Sequence, residues 1–152
     1  MRLPPERGCP AGPDRRRRAD VGPVGRRSLS TVAVDLFAGI AVSDYVAAVG
    51  WYERLLGVSP AFLPNDIEAV WEVADHSYLY IEVRPGHCGH ARHTLFVDDL
   101  DPIIGGIAGR GLAPVDRVTL DNGVRKATYQ DPDGNEISFG GAPTQVRQSG
   151  PR

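Results

Sequence analysis

The sequence predicts an α+β fold in which two tandem βαβββ modules form a curved, cup-shaped mixed sheet. Two observations indicate this fold: the order strand, helix and three strands occurs twice, and the two copies begin about 55 residues apart. A third observation is the length of 152 residues, which allows one ordinary domain and not two. The two modules must therefore close against each other or against a second chain.

The first module begins with a strand-like run over residues 34–42, and a helix signal follows it. Ser43 and Asp44 are residue types that cap helix N-termini, and the stretch YVAAVGWYERLLG has apolar residues at intervals near 3.6. Gly57 is a typical helix terminator, because glycine adopts the left-handed conformation easily. Three strands are then predicted at residues 59–63, 68–73 and 78–83.

The second module repeats this order. A strand at residues 93–97 leads into an acidic helix cap, and the helical stretch LDPIIGGIAGRG stops at Gly111. Because VSD at residues 42–44 aligns with VDD at residues 97–99, the two helices begin at equivalent points. Three strands are again predicted, at residues 113–120, 124–129 and 136–139, with DNG and DPDGN as the turns between them.

The composition changes sharply at both ends of the chain. Residues 1–31 hold eight arginines, five prolines and three acidic residues, so they cannot bury enough apolar surface to fold, and we predict a disordered tail. The alternatives, a basic arm or an organelle address, are less favoured because the prolines break an amphipathic helix. Residues 142–152 are polar and predict a flexible C-terminal tail. The domain is therefore predicted to span residues 32–141.

The composition of the rest of the chain limits the partners and the cellular compartment that are expected. Outside the N-terminal tail the chain has nine basic and sixteen acidic residues, which argues against a nucleic-acid partner. No apolar run approaches the roughly 20 residues that a membrane helix requires. Cys9 and Cys88 have no CxxC spacing and follow no apolar signal segment. They are predicted to be free thiols in the cytoplasm.

Three stretches carry a family resemblance: VSDYVAAVGWYERLLG at residues 42–57, HTLFVDDLD at 93–101 and YQDPDGNEISF at 129–139. In their order and spacing they resemble the vicinal oxygen chelate (VOC) superfamily, the glyoxalase, bleomycin-resistance and extradiol dioxygenase group. The resemblance covers nearly all of residues 32–141. It implies a glyoxalase-like fold and, for a chain of one-domain size, a homodimer.

The resemblance also implies where a metal would lie. Metal-dependent members carry His, Gln or Glu at four inward positions, which the matching motifs place here at Phe37, Glu82, His93 and Ser138. Phenylalanine cannot coordinate and a serine hydroxyl is a poor ligand, so we predict no metal cofactor. The alternative is one divalent ion held by Glu82, His93 and, after a shift of register, Glu136.

Aromatic residues on neighbouring strands indicate the ligand. Alternation places Tyr78, Tyr80 and Glu82 on one face, and aromatic rings on a concave sheet form a platform for flat apolar molecules. The same residues also fit simple packing beneath the helices. The predicted ligand-binding residues are Phe37, Trp71, Tyr80, Glu82, His93 and Ser138.

We therefore predict a metal-free VOC-domain protein that binds a small aromatic or heterocyclic molecule, for sequestration or resistance. The alternative is a divalent-metal-dependent lyase, isomerase or dioxygenase of the glyoxalase type. A third possibility is metal-free acid–base catalysis by Glu82 or His93 in a partly desolvated cup. Whether the chain is an enzyme stays open at this point.

Overall fold

The computed structural model describes residues 33–143, which form two successive βαβββ modules as predicted. The first module comprises β1 (Leu36–Val42), α1 (Tyr45–Leu56), β2 (Phe62–Asn65), β3 (Glu68–Ala74) and β4 (Ser77–Val83). The second comprises β5 (Arg92–Val97), α2 (Leu100–Gly109), β6 (Asp116–Thr119), β7 (Arg125–Gln130) and β8 (Glu136–Gly141). The two predicted tails lie outside the described residues, apart from residues 142 and 143.

Each module forms its own four-stranded mixed sheet. The strand orders are β1-β4-β3-β2 and β5-β8-β7-β6, and in both sheets the first strand pairs in parallel with the last. Val42 at the end of β1 lies opposite Val83, and Val97 at the end of β5 lies opposite Gly141. Because both pairs mark the same point of the topology, each residue of the first sheet has an equivalent in the second.

Local signals set the helix ends. The Asp44 side chain accepts a hydrogen bond from the Ala47 backbone N–H at 3.0 Å, which caps the start of α1. Gly57 ends the helix with φ at 75°, a left-handed conformation that favours glycine. α2 begins after Asp99, whose side chain makes no capping hydrogen bond. The predicted positions of both helices are confirmed.

The edge strands differ from the prediction. β2 begins three residues later than predicted and includes Pro64, while β6 is half the predicted length. Every residue of β2 and β6 is exposed, so no buried face fixes their ends, and an edge position tolerates a proline. β5 begins at Arg92, one residue earlier than predicted, so Arg92 belongs to the strand.

One face of each sheet is covered by the helix of its module, and no helix of residues 33–143 covers the other. We call these the helix-covered and helix-free faces. Trp71 marks the helix-covered face of the first sheet, because its ring centroid lies 5.8 Å from that of Tyr52 in α1. Gly141 marks it in the second, because a Cβ there would meet Leu100 of α2. In this part of the chain no helix is long and apolar enough to span a bilayer.

The two helix-covered faces contribute to one hydrophobic core. The largest fully buried side chains include Trp71, Tyr52, Tyr129, Ile40, Leu55, Ile81, Ile107 and Ile137. Trp71 also donates a hydrogen bond from its indole Nε1 to the Val58 carbonyl at 3.0 Å. Since members of both modules belong to this one cluster, the modules close against each other, which is one of the two predicted arrangements.

A buried polar network around Asn135 joins the modules. The Asn135 side chain is fully buried and donates from Nδ2 to the Ala41 carbonyl of β1 at 2.9 Å. Its Oδ1 accepts hydrogen bonds from the backbone N–H groups of Gly89 and Ala91, at 3.0 and 3.1 Å. The Asp131 carboxylate accepts from both the backbone and the side-chain nitrogen of Asn135. The DPDGN stretch is therefore more than the tight turn that the sequence predicts.

The same carboxylate also receives a hydrogen bond from α1. The Tyr52 hydroxyl donates to Asp131 Oδ2 at 2.8 Å. Burial, together with the negative charge of Asp131, raises the pKa of Tyr52 far above its usual range. The hydroxyl therefore keeps its proton and stays a hydrogen-bond donor between α1 and the β7–β8 turn.

We predict that Asn135→Ala destabilises the fold by about 3 kcal/mol, because it leaves buried backbone groups of both modules without partners. The matched control is Asn122→Ala, which removes one exposed hydrogen bond to Val124 and should cost less than about 1 kcal/mol. Urea unfolding measures both free energies. Equal losses for the two variants would show that the network does not join the modules.

Candidate functional site

Four aromatic rings cluster on the helix-free face of the first sheet. Phe37 stacks on Tyr78 with ring centroids 4.6 Å apart and 13° between the planes, and Tyr80 lies edge-on to Phe37 at 6.5 Å. Phe62 of β2 lies edge-on to Tyr78 at 6.4 Å. Phe37 and Phe62 remain 47% and 45% exposed, which is unusual for rings of this size. We call this cluster the aromatic face.

The shape of the aromatic face depends on Gly39. A Cβ at this position would come within 2.6 Å of the Tyr80 hydroxyl, so the missing side chain leaves room for the ring across β1. Desolvation, followed by the negative charges of Glu72, Asp35 and Asp75, raises the pKa of Tyr78 above its usual value. The Tyr78 hydroxyl is therefore neutral and available as a hydrogen-bond donor at physiological pH.

The helix-free face of the second sheet is polar. Thr94 lies opposite Ser138, and Ser138 opposite Thr128, so three hydroxyls form a row across β5, β8 and β7. The Thr128 and Ser138 hydroxyls are hydrogen-bonded at 2.9 Å, and both residues are almost completely buried. Next to this row, Arg92 Nε donates to the Glu136 carboxylate at 2.9 Å. We call this surface the hydroxyl face.

Two neighbouring cavities share residues 92–94 of β5 as a wall. The first, about 420 Å³ in volume, is mainly apolar. It is lined by the start of β1, by Tyr78 and by the whole of β5. The second, about 250 Å³, lies on the hydroxyl face and is lined by Arg92, His93, Thr94, Lys126, Glu136 and Ser138. A third cavity of about 440 Å³ lies between the ends of α1 and α2 and is lined by none of the predicted site residues.

The predicted place of His93 on the inner wall with Ser138 is wrong. His93 lies opposite Ile137, and Arg92 and Thr94 lie opposite Glu136 and Ser138, so the ring starts from the helix-covered face. Its Nε2 lies 3.1 Å from the Gly39 carbonyl of β1. A carbonyl oxygen only accepts, so the proton is on Nε2. The prediction failed because it placed β5 one residue out of register with β8, and such an offset exchanges the two faces of a strand.

Alignment of the two modules also changes two of the four metal-ligand positions that the resemblance implies. Counting back from Val42 and Val97, the equivalent of Phe37 is Arg92 and not His93. Val83 and Gly141 are the strand partners of these two valines. Tyr80 lies three residues before Val83, and Ser138 lies three residues before Gly141, so the equivalent of Ser138 is Tyr80 and not Glu82. The set that is consistent with both modules is therefore Phe37, Tyr80, Arg92 and Ser138.

This set does not fit a divalent cation. It offers a hydrocarbon ring, a phenol, a guanidinium that repels cations and a neutral hydroxyl. The alternative set does not converge, since Glu82 lies 3.9 Å from Arg84 and Glu136 is paired with Arg92. Within residues 33–143 no three His, Cys, Asp or Glu side chains are close enough to hold an ion together.

The remaining predicted residues are divided between the faces. Tyr80 and Glu82 lie on the helix-free face of the first sheet, while Leu79 and Ile81 are buried on the other, as the alternation predicts. Trp71 is 1% exposed beneath α1, so it is a core residue and does not contribute to the aromatic face. The Glu82 side chain lies on the helix-free face of the first sheet, and the His93 side chain leaves the helix-covered face of the second. The two therefore do not form an acid–base pair.

The sequence reasoning missed Arg92, Thr94, Thr128 and Lys126. Each of these residues occupies a helix-free position beside Glu136, Ser138 or Gly140. Lys126 and Thr128 alternate with the buried Ala127 and Tyr129, so the period-two pattern of β7 could have identified them.

Two βαβββ modules with this strand order, and a helix-free face on each sheet, define the class of glyoxalase-like α+β proteins. Among solved structures, a glyoxalase / bleomycin resistance protein from Catenulispora acidiphila is 50% identical to this chain, with a TM-score of 0.71. The match covers 73% of this chain and 100% of that one. The chain belongs to the glyoxalase/bleomycin-resistance (VOC) superfamily.

More distant structures share the fold. A bleomycin-binding protein complexed with bleomycin is 20% identical, with a TM-score of 0.58 over 72% of this chain and 98% of that one. A lactoylglutathione lyase from Agrobacterium tumefaciens is 14% identical, with a TM-score of 0.57 over 72% and 94% of the two chains. The sequence matches no family model and no curated protein.

Because the donor set does not fit a metal, we predict that untagged protein binds less than about a tenth of an equivalent of Mn, Fe, Ni or Zn per chain. A double variant, Phe37→His with Arg92→His, places imidazoles at equivalent positions of the two modules and should increase zinc uptake. Elemental analysis after dialysis measures both. Stoichiometric metal in the unmodified protein would contradict the assignment of these positions.

Proposed function

We propose that the protein binds a small, flat, aromatic or heterocyclic molecule without a metal ion, and that it sequesters this molecule or confers resistance to it. The aromatic face is the observation that carries this proposal. Large rings that are left half exposed on a sheet mark a contact surface for another molecule. The stacked pair of Phe37 and Tyr78 presents ring surfaces of the kind that offset stacking uses.

An apolar cavity that reaches the aromatic face at Tyr78, the one ring of that face among its lining residues, also supports the proposal. Its volume of about 420 Å³ lies within the range of small-molecule sites. Its lining combines apolar side chains such as Leu36 and Leu79 with the polar group of Tyr78. A bleomycin-binding protein complexed with bleomycin shares this fold at 20% identity, so that comparison supports the scaffold and not the ligand.

We predict that 2-naphthol binds more tightly than its saturated analogue decahydro-2-naphthol, because only a flat ring can stack on the aromatic face. Phe37→Leu and Tyr78→Leu should each weaken naphthol binding by about three- to tenfold, in line with the energies of aromatic pairs. Leu120→Ala is the control, since Leu120 is an exposed apolar residue that lines neither cavity. Calorimetric titration gives the affinities. Equal affinity for both alcohols would contradict the proposal.

We also propose that the chain acts as a homodimer in the cytoplasm. Phe96, on the helix-free face of the second sheet, is 65% exposed. A helix-free sheet face with large exposed rings normally packs against another layer. A second copy is the occupant that the small size of the chain favours, because each module supplies only a four-stranded sheet and one helix.

Light scattering at micromolar concentration is expected to give twice the chain mass. Phe96→Glu should shift the mass toward the monomer, because a charge would replace an apolar contact. Val46→Glu is the matched control, since Val46 is an exposed valine on α1, away from both helix-free faces. A monomer mass for the unmodified chain would exclude the dimer.

A further inference from the structure

We infer that the cavity on the hydroxyl face is a carboxylate-binding subsite, so that the ligand is an aromatic acid. This inference rests on the proposed function and names the chemical class of its ligand. It starts from Arg92, the equivalent of Phe37 in the second module. Where one module presents a ring, the other presents a fixed positive charge.

The buried hydroxyl pair leaves one donor without a partner. Thr128 and Ser138 each carry one hydroxyl proton, and their mutual hydrogen bond at 2.9 Å uses only one of the two. No other acceptor among residues 33–143 bonds either hydroxyl. The two residues are 9% and 4% exposed, so water reaches them poorly. A buried hydroxyl proton without an acceptor is costly, and an acceptor supplied by a ligand would remove that cost.

The other groups of the cavity are also donors. Arg92 uses only Nε in its bond to Glu136, so both of its terminal nitrogens remain available. The Lys126 ammonium makes no hydrogen bond or ion pair with residues 33–143 and lines the same cavity. The Nε2 of His93 is already committed to Gly39. A donor-rich cavity of this kind binds an oxyanion rather than a cation.

The charge balance favours a carboxylate over a phosphate. Arg92 and Lys126 are positive and Glu136 is negative, so the cavity lining has an excess of one positive charge. Asp116 lies opposite Thr128 on the edge strand β6, but it does not line the cavity. One excess charge matches a monoanion, whereas a phosphate ester carries close to two negative charges at neutral pH.

The two cavities can bind one molecule. They share residues 92–94 of β5, which is an edge strand of its sheet, so a molecule that crosses the free edge of β5 would place a ring in the apolar cavity and an acidic group on the hydroxyl face. Tyr78 lines the apolar cavity and Ser138 the polar one. The ligand class is therefore a flat ring system that carries a single carboxylate.

Calorimetric titration with naphthalene-2-carboxylate, its neutral carboxamide and 2-naphthyl phosphate tests this inference. The carboxylate should bind about tenfold more tightly than the amide, with the phosphate between them, because charge-assisted hydrogen bonds exceed neutral ones. Lys126→Gln and Arg92→Gln should weaken carboxylate binding far more than amide binding, and so remove most of this difference. Arg117→Gln is the matched control, because Arg117 lies opposite Ala127 on the helix-covered side of the edge strand β6.

Equal binding of carboxylate and amide would overturn the inference, and so would an equal effect of Arg117→Gln and Lys126→Gln, which would indicate net charge alone. The double variant Thr128→Val with Ser138→Ala removes the spare donor at nearly constant volume. It should weaken carboxylate binding at least threefold and amide binding less, because a charged acceptor makes the stronger hydrogen bond.

A second measurement separates this inference from the proposed function. Acetate has no ring, so its binding does not depend on the aromatic face. Titration of ¹⁵N-labelled protein with sodium acetate, against sodium chloride at the same ionic strength, should shift the amide signals of Lys126, Thr128 and Ser138. These shifts should disappear in Lys126→Gln. Naphthol binding without acetate shifts would leave the proposed function standing and overturn the carboxylate subsite.

Discussion

The buried contact between Asp131 and Asn135 is the constraint on which the arrangement of the two modules depends. Asn135 satisfies backbone groups before β5 and on the open edge of β1, and Asp131 accepts the hydroxyl of Tyr52 from α1. The turn of residues 131–135 is thus hydrogen-bonded to a strand and a helix of the other module. Removing any partner leaves a buried polar group unpaired, which is far more costly than the loss of an exposed hydrogen bond.

Equivalent positions in the two sheets have diverged while the scaffold has not. Tyr78 and Glu136 occupy the same place in the topology, as do Tyr80 and Ser138, and Glu68 and Lys126. The buried helix-covered positions, such as Ile81 and Phe139, stay apolar in both modules, because they must fill a common core at close packing. The helix-free positions have no such requirement, so they are free to differ between the modules.

Most of the fold could be predicted from the sequence, because the signals involved are local. The cap at Asp44 and the stop at Gly57 depend only on neighbouring residues. The alternation of Tyr78 to Glu82 depends only on strand geometry. The edge strands could not be predicted, since their exposed residues give no pattern that fixes the ends.

The site was predicted less well, because it depends on register. Phe37, Tyr80 and Ser138 lie on helix-free faces, but His93 and Trp71 do not. An offset of one residue in the register between β5 and β8 exchanges His93 for Arg92 on the helix-free face, and with it a possible metal ligand for a permanent cation. The role of Asn135 depends on contacts more than 40 residues away in sequence, which no short motif reports.

Gly39 links two features that are otherwise independent. Its backbone carbonyl receives His93 from the second module, while its missing side chain makes room for the Tyr80 ring. A single added methyl group would push that ring outward and leave the carbonyl where it is. A single substitution at Gly39 can therefore change the contour of the aromatic face without loss of the architecture. Such a change would let related chains present differently shaped surfaces on the same fold.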